Sequence, residues 1–380
     1  MALSSAAHWP SAAASGSERA ARRVVAVWLL CVCALIYLMV VVGGITRLTL
    51  SGLSITQWHP IIGVIPPLSH GQWEAAFARY QQVPEYRALH DGMSLSDFKT
   101  IFFWEYAHRL LGRLIGLVFA VPLAWFWSRR RLPRGLGPPL LGILGLGFAQ
   151  GLLGWYMVES GLADRVEVSQ YRLDAHLLLA LAIYSLILWT ALGLLGSAPS
   201  PRRGTHSSET TGRAADVGVG WRRAANGLIA LVGLTIAAGG FVAGNRAGLT
   251  YNTFPLMDGQ FVPAGYAALH PFFRNWFENI PAVQFDHRLL AETTFVYVLA
   301  LAAIGIARPL PRRILTALIA LLLVATLQLA LGVSTLLLVV PIPLAAAHQA
   351  GAVLLLTAAI VFRHVLRPAR EMDAKAGAPI

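Results

Sequence analysis

The chain is poor in charged residues and almost free of cysteine. Charged side chains make up only 13% of its 380 residues, whereas hydrophobic ones make up 56%. This composition excludes an ordinary soluble globular protein and is typical of a polytopic membrane protein. The two cysteines, Cys31 and Cys33, lie one residue apart inside an apolar run, which disfavours a structural disulfide. A cysteine-based zinc site is disfavoured as well, because no local group of zinc ligands is present.

Eight apolar stretches are long enough to cross a bilayer. Each is close to the roughly 20 residues that about 30 Å of hydrocarbon requires. All are predicted to be helical, because lipid offers unpaired backbone groups no partner. The predicted spans are 24–42, 102–126, 138–157, 173–195, 224–242, 286–306, 314–339 and 344–362. The first has a charged flank like a signal peptide, but its apolar run is too long and no small-residue cleavage site follows.

Arginine is concentrated in the connections on one side of the predicted membrane. That side carries Arg22, Arg23, Arg129, Arg130, Arg131, Arg202, Arg203, Arg222, Arg223, Arg308, Arg312 and Arg363. The positive-inside rule makes this side cytoplasmic, with both chain termini there. The net charge of +12 therefore reflects membrane topology, and it gives no support to nucleic-acid binding.

The two halves of the chain repeat each other. Gly43 and Gly44 match Gly239 and Gly240 at an offset of 196 residues. The later matched pairs are Gly52/Gly248, Gly63/Gly259, Pro67/Pro263, His108/His287, Gln150/Gln328, Gly154/Gly332 and His176/His348. A matched series in the same order predicts a tandem duplication of a four-helix bundle.

The repeat defines the expected organisation of the chain. Two four-helix halves, 24–195 and 224–366, are joined by a cytoplasmic linker, 196–223. Cytoplasmic tails are expected at 1–23 and 367–380. Disorder is expected at 1–20, at 367–380 and in the linker, which is rich in Gly, Ser, Thr and Arg.

Four histidines lie near the beginnings of predicted spans, in the outer part of the membrane. They are His108, His176, His287 and His348. Ionisable side chains inside a membrane are rare and usually functional. A single histidine near a helix end is more often interfacial or hydrogen-bonded, but four at equivalent positions favour ligation. Two imidazoles on facing helices of one bundle are a suitable pair of axial ligands for haem.

Five arginines lie on the outer side of the membrane, as the four histidines do, and would neutralise the haem propionates. They are Arg47, Arg109, Arg113, Arg246 and Arg288.

The halves differ beside the first histidine of each pair. Glu105 lies one helical turn before His108 on the same face, whereas the equivalent position in the second half is Gln284. A carboxylate beside one pair and an amide beside the other suggest a reacting site and a site for a permanent redox cofactor. The alternative is a structural salt bridge from Glu105 to Arg109, and the two roles are compatible.

Several segments together resemble the haem A synthases of the CtaA/Cox15 type. The segments are Gly43–Thr49, Gly52–Ile55, Glu105–Arg109, Asp286–Arg288 and His348-Gln349. The resemblance covers roughly 24–366 and is closest to the branch found in proteobacteria and mitochondria. Other members carry a cysteine pair in the first outer loop, so a thiol-based step has no residues here.

The resemblance implies an enzyme that oxidises the methyl group at ring position eight of haem O to a formyl group, giving haem A. It implies that His108 and His176 bind the substrate haem, with Arg109 among the groups that hold it. Glu105 would be the essential acidic residue beside that haem.

The resemblance also implies a resident cofactor and a set of partners. His287 and His348 would ligate the iron of a haem b that relays electrons. Haem O synthase, a membrane farnesyltransferase, and an electron-transfer protein are the expected partners besides membrane lipid, and a homo-oligomer stays open. A bacterial inner membrane is the expected location, with a mitochondrial inner membrane as the alternative.

Two other functions are compatible with parts of the pattern. A dihaem cytochrome b that only transfers electrons would use the same histidines but gives no reason for the one-sided Glu105. A transporter built from repeats would place its polar groups at broken helices near the midplane, whereas here they lie toward the outer face.

Overall fold

Eight long apolar helices form the body of the protein in a computed structural model that describes residues 16–57, 62–164, 166–195 and 210–367. In chain order the helices are α1 (Gly16–Leu48), α2 (His70–Tyr80), α3 (Pro84–Leu89), α4 (Leu95–Ser128), α5 (Gly137–Asp164), α6 (Gln170–Leu195), α7 (Thr210–Gly244), α8 (Asn275–Glu278), α9 (Ile280–Ile306), α10 (Arg312–Leu337) and α11 (Ile342–Val365). Only α2, α3 and α8 are too short to cross a membrane. The described ranges contain one isolated bridge, Met257 to Gln260, and no β-strand. The predicted all-α membrane fold is confirmed.

The helices are longer than the predicted spans. Helix α4 begins at Leu95, before the predicted start at 102, because Ser94 caps it by accepting a 3.2 Å hydrogen bond from the Asp97 backbone N–H. Helix α7 begins at Thr210, inside the predicted linker. Hydropathy detects only the part of a helix that crosses hydrocarbon, so these extensions were missed. The rest of the linker, and most of both predicted tails, lie outside the described residues.

The two halves pack against each other directly. Helices α1 and α6 of the first half contact α11 of the second, and α6 also contacts α7. One buried apolar cluster runs through both halves and includes Leu29, Leu228 and Phe362, all fully buried. Van der Waals packing of this kind associates helices in lipid, where the hydrophobic effect provides no driving force between them.

Functional groups gather at one end of the bundle, which we call the site end. Helices α1, α5, α7 and α10 end there, and α4, α6, α9 and α11 begin there. Glu167, after α5, pairs there with Arg47 of α1, and Asn252, after α7, donates a 2.8 Å hydrogen bond to the Leu336 carbonyl of α10. The connections 49–94 and 245–279 join helices at this end, and their described parts lie there.

The first of these connections has a small core of its own. Helix α2 packs against the start of α4 around Tyr80 and Phe98, both fully buried, with ring centroids 5.4 Å apart, and Tyr86 of α3 lies beside Tyr80. The cluster, called here the aromatic cap, comprises Ala76, Tyr80, Val83, Tyr86, Phe98, Ile101 and Phe102. The sequence predicted a long outer loop at this place, whereas the loop contains an ordered apolar unit.

Candidate functional site

Both histidines of the first half lie against a glycine of a neighbouring helix. A Cβ atom built on Gly43 of α1 would lie 2.9 Å from Cε1 of His108 on α4. A Cβ atom on Gly154 of α5 would lie 2.8 Å from Cε1 of His176 on α6. These distances are shorter than a packed Cβ tolerates, so only glycine leaves room for the two rings.

The second half repeats this arrangement. A Cβ atom on Gly239 of α7 would lie 2.9 Å from Cε1 of His287 on α9. The corresponding distance from Gly332 of α10 to His348 of α11 is 2.8 Å. All four histidines are half-buried, and each ring lies in close contact with the backbone of a glycine. These glycines were matched in the repeat analysis, but their role as supports for the histidines was missed.

The paired rings of the second half have a spacing suited to a shared metal ion. The ring centroids of His287 and His348 are 6.5 Å apart and the ring planes are 79° apart. Two metal–imidazole bonds of about 2 Å each place the ligating nitrogens about 4 Å from one another, with the ring centroids somewhat farther apart. His108 and His176 are close enough to interact electrostatically.

The donor set fits haem iron better than a bare metal ion. The described residues contain no group of three or more His, Cys, Asp or Glu side chains placed to hold a metal ion. A zinc site needs at least three protein ligands, whereas haem iron needs only axial ligands because the macrocycle supplies the others. The residues present therefore fit a haem in each half.

The two histidine pairs differ in the hydrogen-bond partners of the ring nitrogen Nδ1. In the second half, Nδ1 of His287 can donate to the Thr235 carbonyl oxygen, 3.2 Å away, whereas Nδ1 of His348 lies 3.1 Å from the amide nitrogen of Gln328, which can only donate to it. Donation from Nδ1 to a carbonyl, as at His287, is the contact that orients a histidine whose other ring nitrogen binds a metal.

In the first half, Nδ1 of His108 and Nδ1 of His176 are buried and have no hydrogen-bond partner among the described residues. Gln150, the counterpart of Gln328, donates instead to the His176 backbone carbonyl at 2.9 Å. The first pair is therefore held by packing alone.

Glu105 ties the first connection to α4. Its carboxylate is buried, with 3% exposure, and its Oε2 accepts hydrogen bonds from the Ser54 hydroxyl and the Ile55 backbone N–H, both at 2.7 Å. Its Oε1 pairs with the guanidinium of Arg109, which also donates to the Ile55 carbonyl at 2.9 Å. The salt bridge from Glu105 to Arg109, the alternative role of Glu105 in the sequence analysis, is therefore present.

Gln284 makes the equivalent connection in the second half with opposite hydrogen-bond polarity. Its amide nitrogen donates to the carbonyls of Ala247, at 2.8 Å, and Thr250, at 2.5 Å. Arg288 donates to the Gln284 oxygen at 3.1 Å and to the Tyr251 carbonyl.

The polarity of the two connections accounts for the difference between acid and amide. The first connection presents a hydroxyl and an N–H group, which require an acceptor. The second presents two carbonyls, which require a donor, and a carboxylate cannot supply one. Glu105 therefore has a structural role in addition to the catalytic role implied by resemblance.

A bridged pair of arginines joins the halves at the site end. Glu167 accepts a hydrogen bond from Arg47 at 2.9 Å and forms an ion pair with Arg246, with 2.7 Å between the charged atoms. Arg47 also donates to the Ala243 carbonyl of α7 at 3.2 Å. Two guanidinium groups and one carboxylate leave a net positive charge between the halves, as a propionate site requires. Glu167 was missed by sequence analysis, which considered arginines without their partners.

Comparison with known proteins identifies close relatives across most of the chain. The family model COX15-CtaA, described as cytochrome oxidase assembly protein, matches residues 26–360. The chain is 51% identical to a protein of Nitrosospira multiformis named heme A synthase, over 92% of this chain and 95% of the relative. It is 49% identical to the heme A synthase of Nitrosomonas eutropha, over 88% and 92% of the two chains. It is also 46% identical to human heme A synthase COX15, over 92% and 84%.

Exchanging Gln284 for glutamate tests the polarity argument. Gln284→Glu places a carboxylate against the carbonyls of Ala247 and Thr250, so the free energy of unfolding should fall by about 1–3 kcal/mol. The loss should grow as pH rises through the carboxyl pKa, because the protonated acid can still donate one hydrogen bond. Thermal unfolding of the detergent-solubilised protein measures this effect. The exposed Gln82→Glu is the control, and equal unfolding temperatures in the two variants would contradict the argument.

Proposed function

Because the chain belongs to the COX15-CtaA family of cytochrome oxidase assembly proteins, we propose that it is a haem A synthase. The enzyme would oxidise the methyl group at ring position eight of haem O to a formyl group through hydroxylated forms of the substrate. The observation that carries this proposal is the two glycine-backed histidine pairs, in a chain whose relatives are named heme A synthase. The relatives give no support to the alternative of a dihaem cytochrome.

The two histidine pairs are assigned different haems. We assign His108 and His176 to the substrate haem O and His287 and His348 to a resident haem b. The hydrogen bond from Nδ1 of His287 to the Thr235 carbonyl supports this division, because a permanent ligand benefits from a fixed ring. Nδ1 of both first-half histidines has no partner among the described residues, as suits a substrate site that must release its haem. A bound haem b supplies reversible one-electron redox chemistry.

Glu105 and Arg109 organise the substrate site. Glu105 holds the first connection against α4, one turn from His108, and Arg109 secures both the carboxylate and the connection. In this position the carboxylate is available to accept a proton or to stabilise positive charge that develops during oxidation. Since the site is covered by that connection, Glu105 also helps to keep water out.

The location and partners complete the proposal. The eight apolar helices make the chain a multi-pass membrane protein. We place it in a bacterial inner membrane with both termini in the cytoplasm, which the arginine distribution supports. Haem O would come from a membrane farnesyltransferase, and electrons would pass to a partner outside the chain.

The mass of extracted haem tests the reaction directly. Membranes of cells that make haem O should contain a new haem, differing by the change from methyl to formyl, only when this protein is produced. Cells producing His108→Ala are the control. If haem O and haem B were the only haems in the presence of folded protein and its redox partner, the proposed reaction would be wrong.

Alanine at a supporting glycine should remove the haem of its own half. Gly239→Ala overlaps the His287 ring and should lower resident haem content, whereas Gly154→Ala overlaps the His176 ring and should lower binding of added haem O. Haem-to-protein ratios in purified protein measure both effects. Gly233→Ala and Gly151→Ala are matched controls on the same helices, because a Cβ atom there meets nothing within 4 Å. Normal haem content in all four variants would contradict the assignment.

Glu105→Gln separates catalysis from haem binding. The amide oxygen can still accept the hydrogen bonds from Ser54 and Ile55 that hold the connection, but the charge paired with Arg109 is lost, so bound haem should be retained while formyl formation stops. Loss of catalytic acid–base assistance alone corresponds to about 10²- to 10⁴-fold in rate. Haem analysis of purified variant and membranes measures both quantities, and full activity would remove Glu105 from the mechanism.

A further inference from the structure

Three titratable side chains in the first connection form a hydrogen-bonded chain outside the membrane-spanning helices. The hydroxyl of Tyr80, at the end of α2, is 2.6 Å from Nδ1 of His90 and 3.1 Å from Oε2 of Glu85 in α3. Neither the haem ligands nor the Glu105 hydrogen bonds involve these residues. The chain therefore needs an explanation of its own.

The chain leads from a surface position into the aromatic cap. His90 is partly exposed, Tyr80 is fully buried, and Glu85 is 3% exposed. Burial raises the pKa of Glu85 to about 8, although the hydrogen bond from Tyr80 opposes the rise. Burial also lowers the pKa of His90. The carboxyl group of Glu85 therefore holds its proton at neutral pH, while the His90 imidazole is mostly neutral.

The geometry permits two protonation states without movement of heavy atoms. In the first, the Glu85 carboxyl donates to the Tyr80 oxygen and the Tyr80 hydroxyl donates to Nδ1 of His90. In the second, the O–H bond of Glu85 and the original O–H bond of Tyr80 have broken. A new O–H bond has formed on Tyr80 and an N–H bond on His90. The resulting imidazolium can release a proton to water, because its ring is partly exposed.

Glu85 lies within electrostatic range of the site end. Its pKa is raised by the charges of Glu105 and Glu167 and lowered by that of Arg47. The charge of Arg246 lowers the pKa of His90, in addition to the effect of burial. The inner end of the chain thus interacts electrostatically with Glu105, and the cap that holds it includes Ile101 of α4, one helical turn before Glu105. Its outer end, at His90, is partly exposed to water.

We propose that Tyr80, Glu85 and His90 form a proton relay between the substrate site and the water at the site end. This inference rests on the proposed function and deepens it. When a methyl carbon is oxidised with water as the oxygen donor, protons are released together with electrons. The electrons leave to a one-electron acceptor outside the chain, whereas the protons need a path through the aromatic cap. The relay provides that path.

Infrared spectroscopy tests the relay without any enzyme activity. Purified wild-type protein should show a neutral-carboxyl C=O band that disappears as pH rises through about 8. The band should be absent in Glu85→Gln and shifted in Tyr80→Phe, which loses the hydrogen bond. Tyr86→Phe is the matched control, because Tyr86 is buried in the same cap and its hydroxyl accepts a 3.4 Å hydrogen bond from the Gln81 side chain and from no other described residue. A wild-type band that is unchanged in Glu85→Gln would overturn the proposal.

The pH profile of haem A formation tests the use of the relay in turnover. The wild-type rate should rise as pH increases through about 8, because the ionised Glu85 is the form that accepts a proton. Glu85→Gln and Tyr80→Phe should be slower by about tenfold or more and should lose this inflection. Tyr86→Phe should behave as wild type.

The outcomes distinguish the relay from the enzyme assignment. Wild-type rates and pH profiles in folded Tyr80→Phe and Glu85→Gln would overturn the relay while leaving the synthase assignment intact. Absence of haem A formation in wild type would overturn the proposed function, and the infrared titration would still report on the chain. If Glu85→Gln does not yield folded protein, Tyr80→Phe decides the question, since it keeps the ring in the cap.

Discussion

The contact between a histidine ring and the backbone of a glycine is the constraint on which the site end depends. It occurs four times and joins α1 to α4, α5 to α6, α7 to α9 and α10 to α11. Small residues let helices approach closely in lipid, where packing must replace the hydrophobic effect. Here the space left by each missing side chain is filled by an imidazole. Helix spacing and ring position are therefore set by the same contact.

Hydrogen-bond polarity determines how the connections are fastened over these rings. In each half, an arginine pairs with the residue one turn before it, and together they hold the connection. The pairs are Arg109 with Glu105 in the first half and Arg288 with Gln284 in the second. Glu105 accepts where the connection donates, and Gln284 donates where the connection accepts. A buried carboxylate in the second half would leave two carbonyls unpaired. The carboxylate of Glu105 beside the first histidine pair is therefore required by the structure and is also available for catalysis.

Much of this organisation could be predicted from the sequence because it depends on hydropathy and spacing. The eight spans, the family and the salt bridge of Glu105 are confirmed. The duplication stays a prediction, although equivalent contacts recur at matched positions. The features that could not be predicted depend on how the irregular connections fold, because periodic sequence patterns carry no information about such segments. They are the aromatic cap, the ion-pair partner Glu167 and the relay from His90. The supporting glycines were visible as matched positions, but their function appears only with the rings in place.

Locating the iron atoms in the haem-loaded protein tests the central claim most directly. An electron-microscopy map of the purified protein, prepared with haem O, should place one iron between His287 and His348 and another between His108 and His176. The supporting glycine should lie behind each ring. Iron ligated by other residues, or a single haem shared between the two halves, would contradict the account.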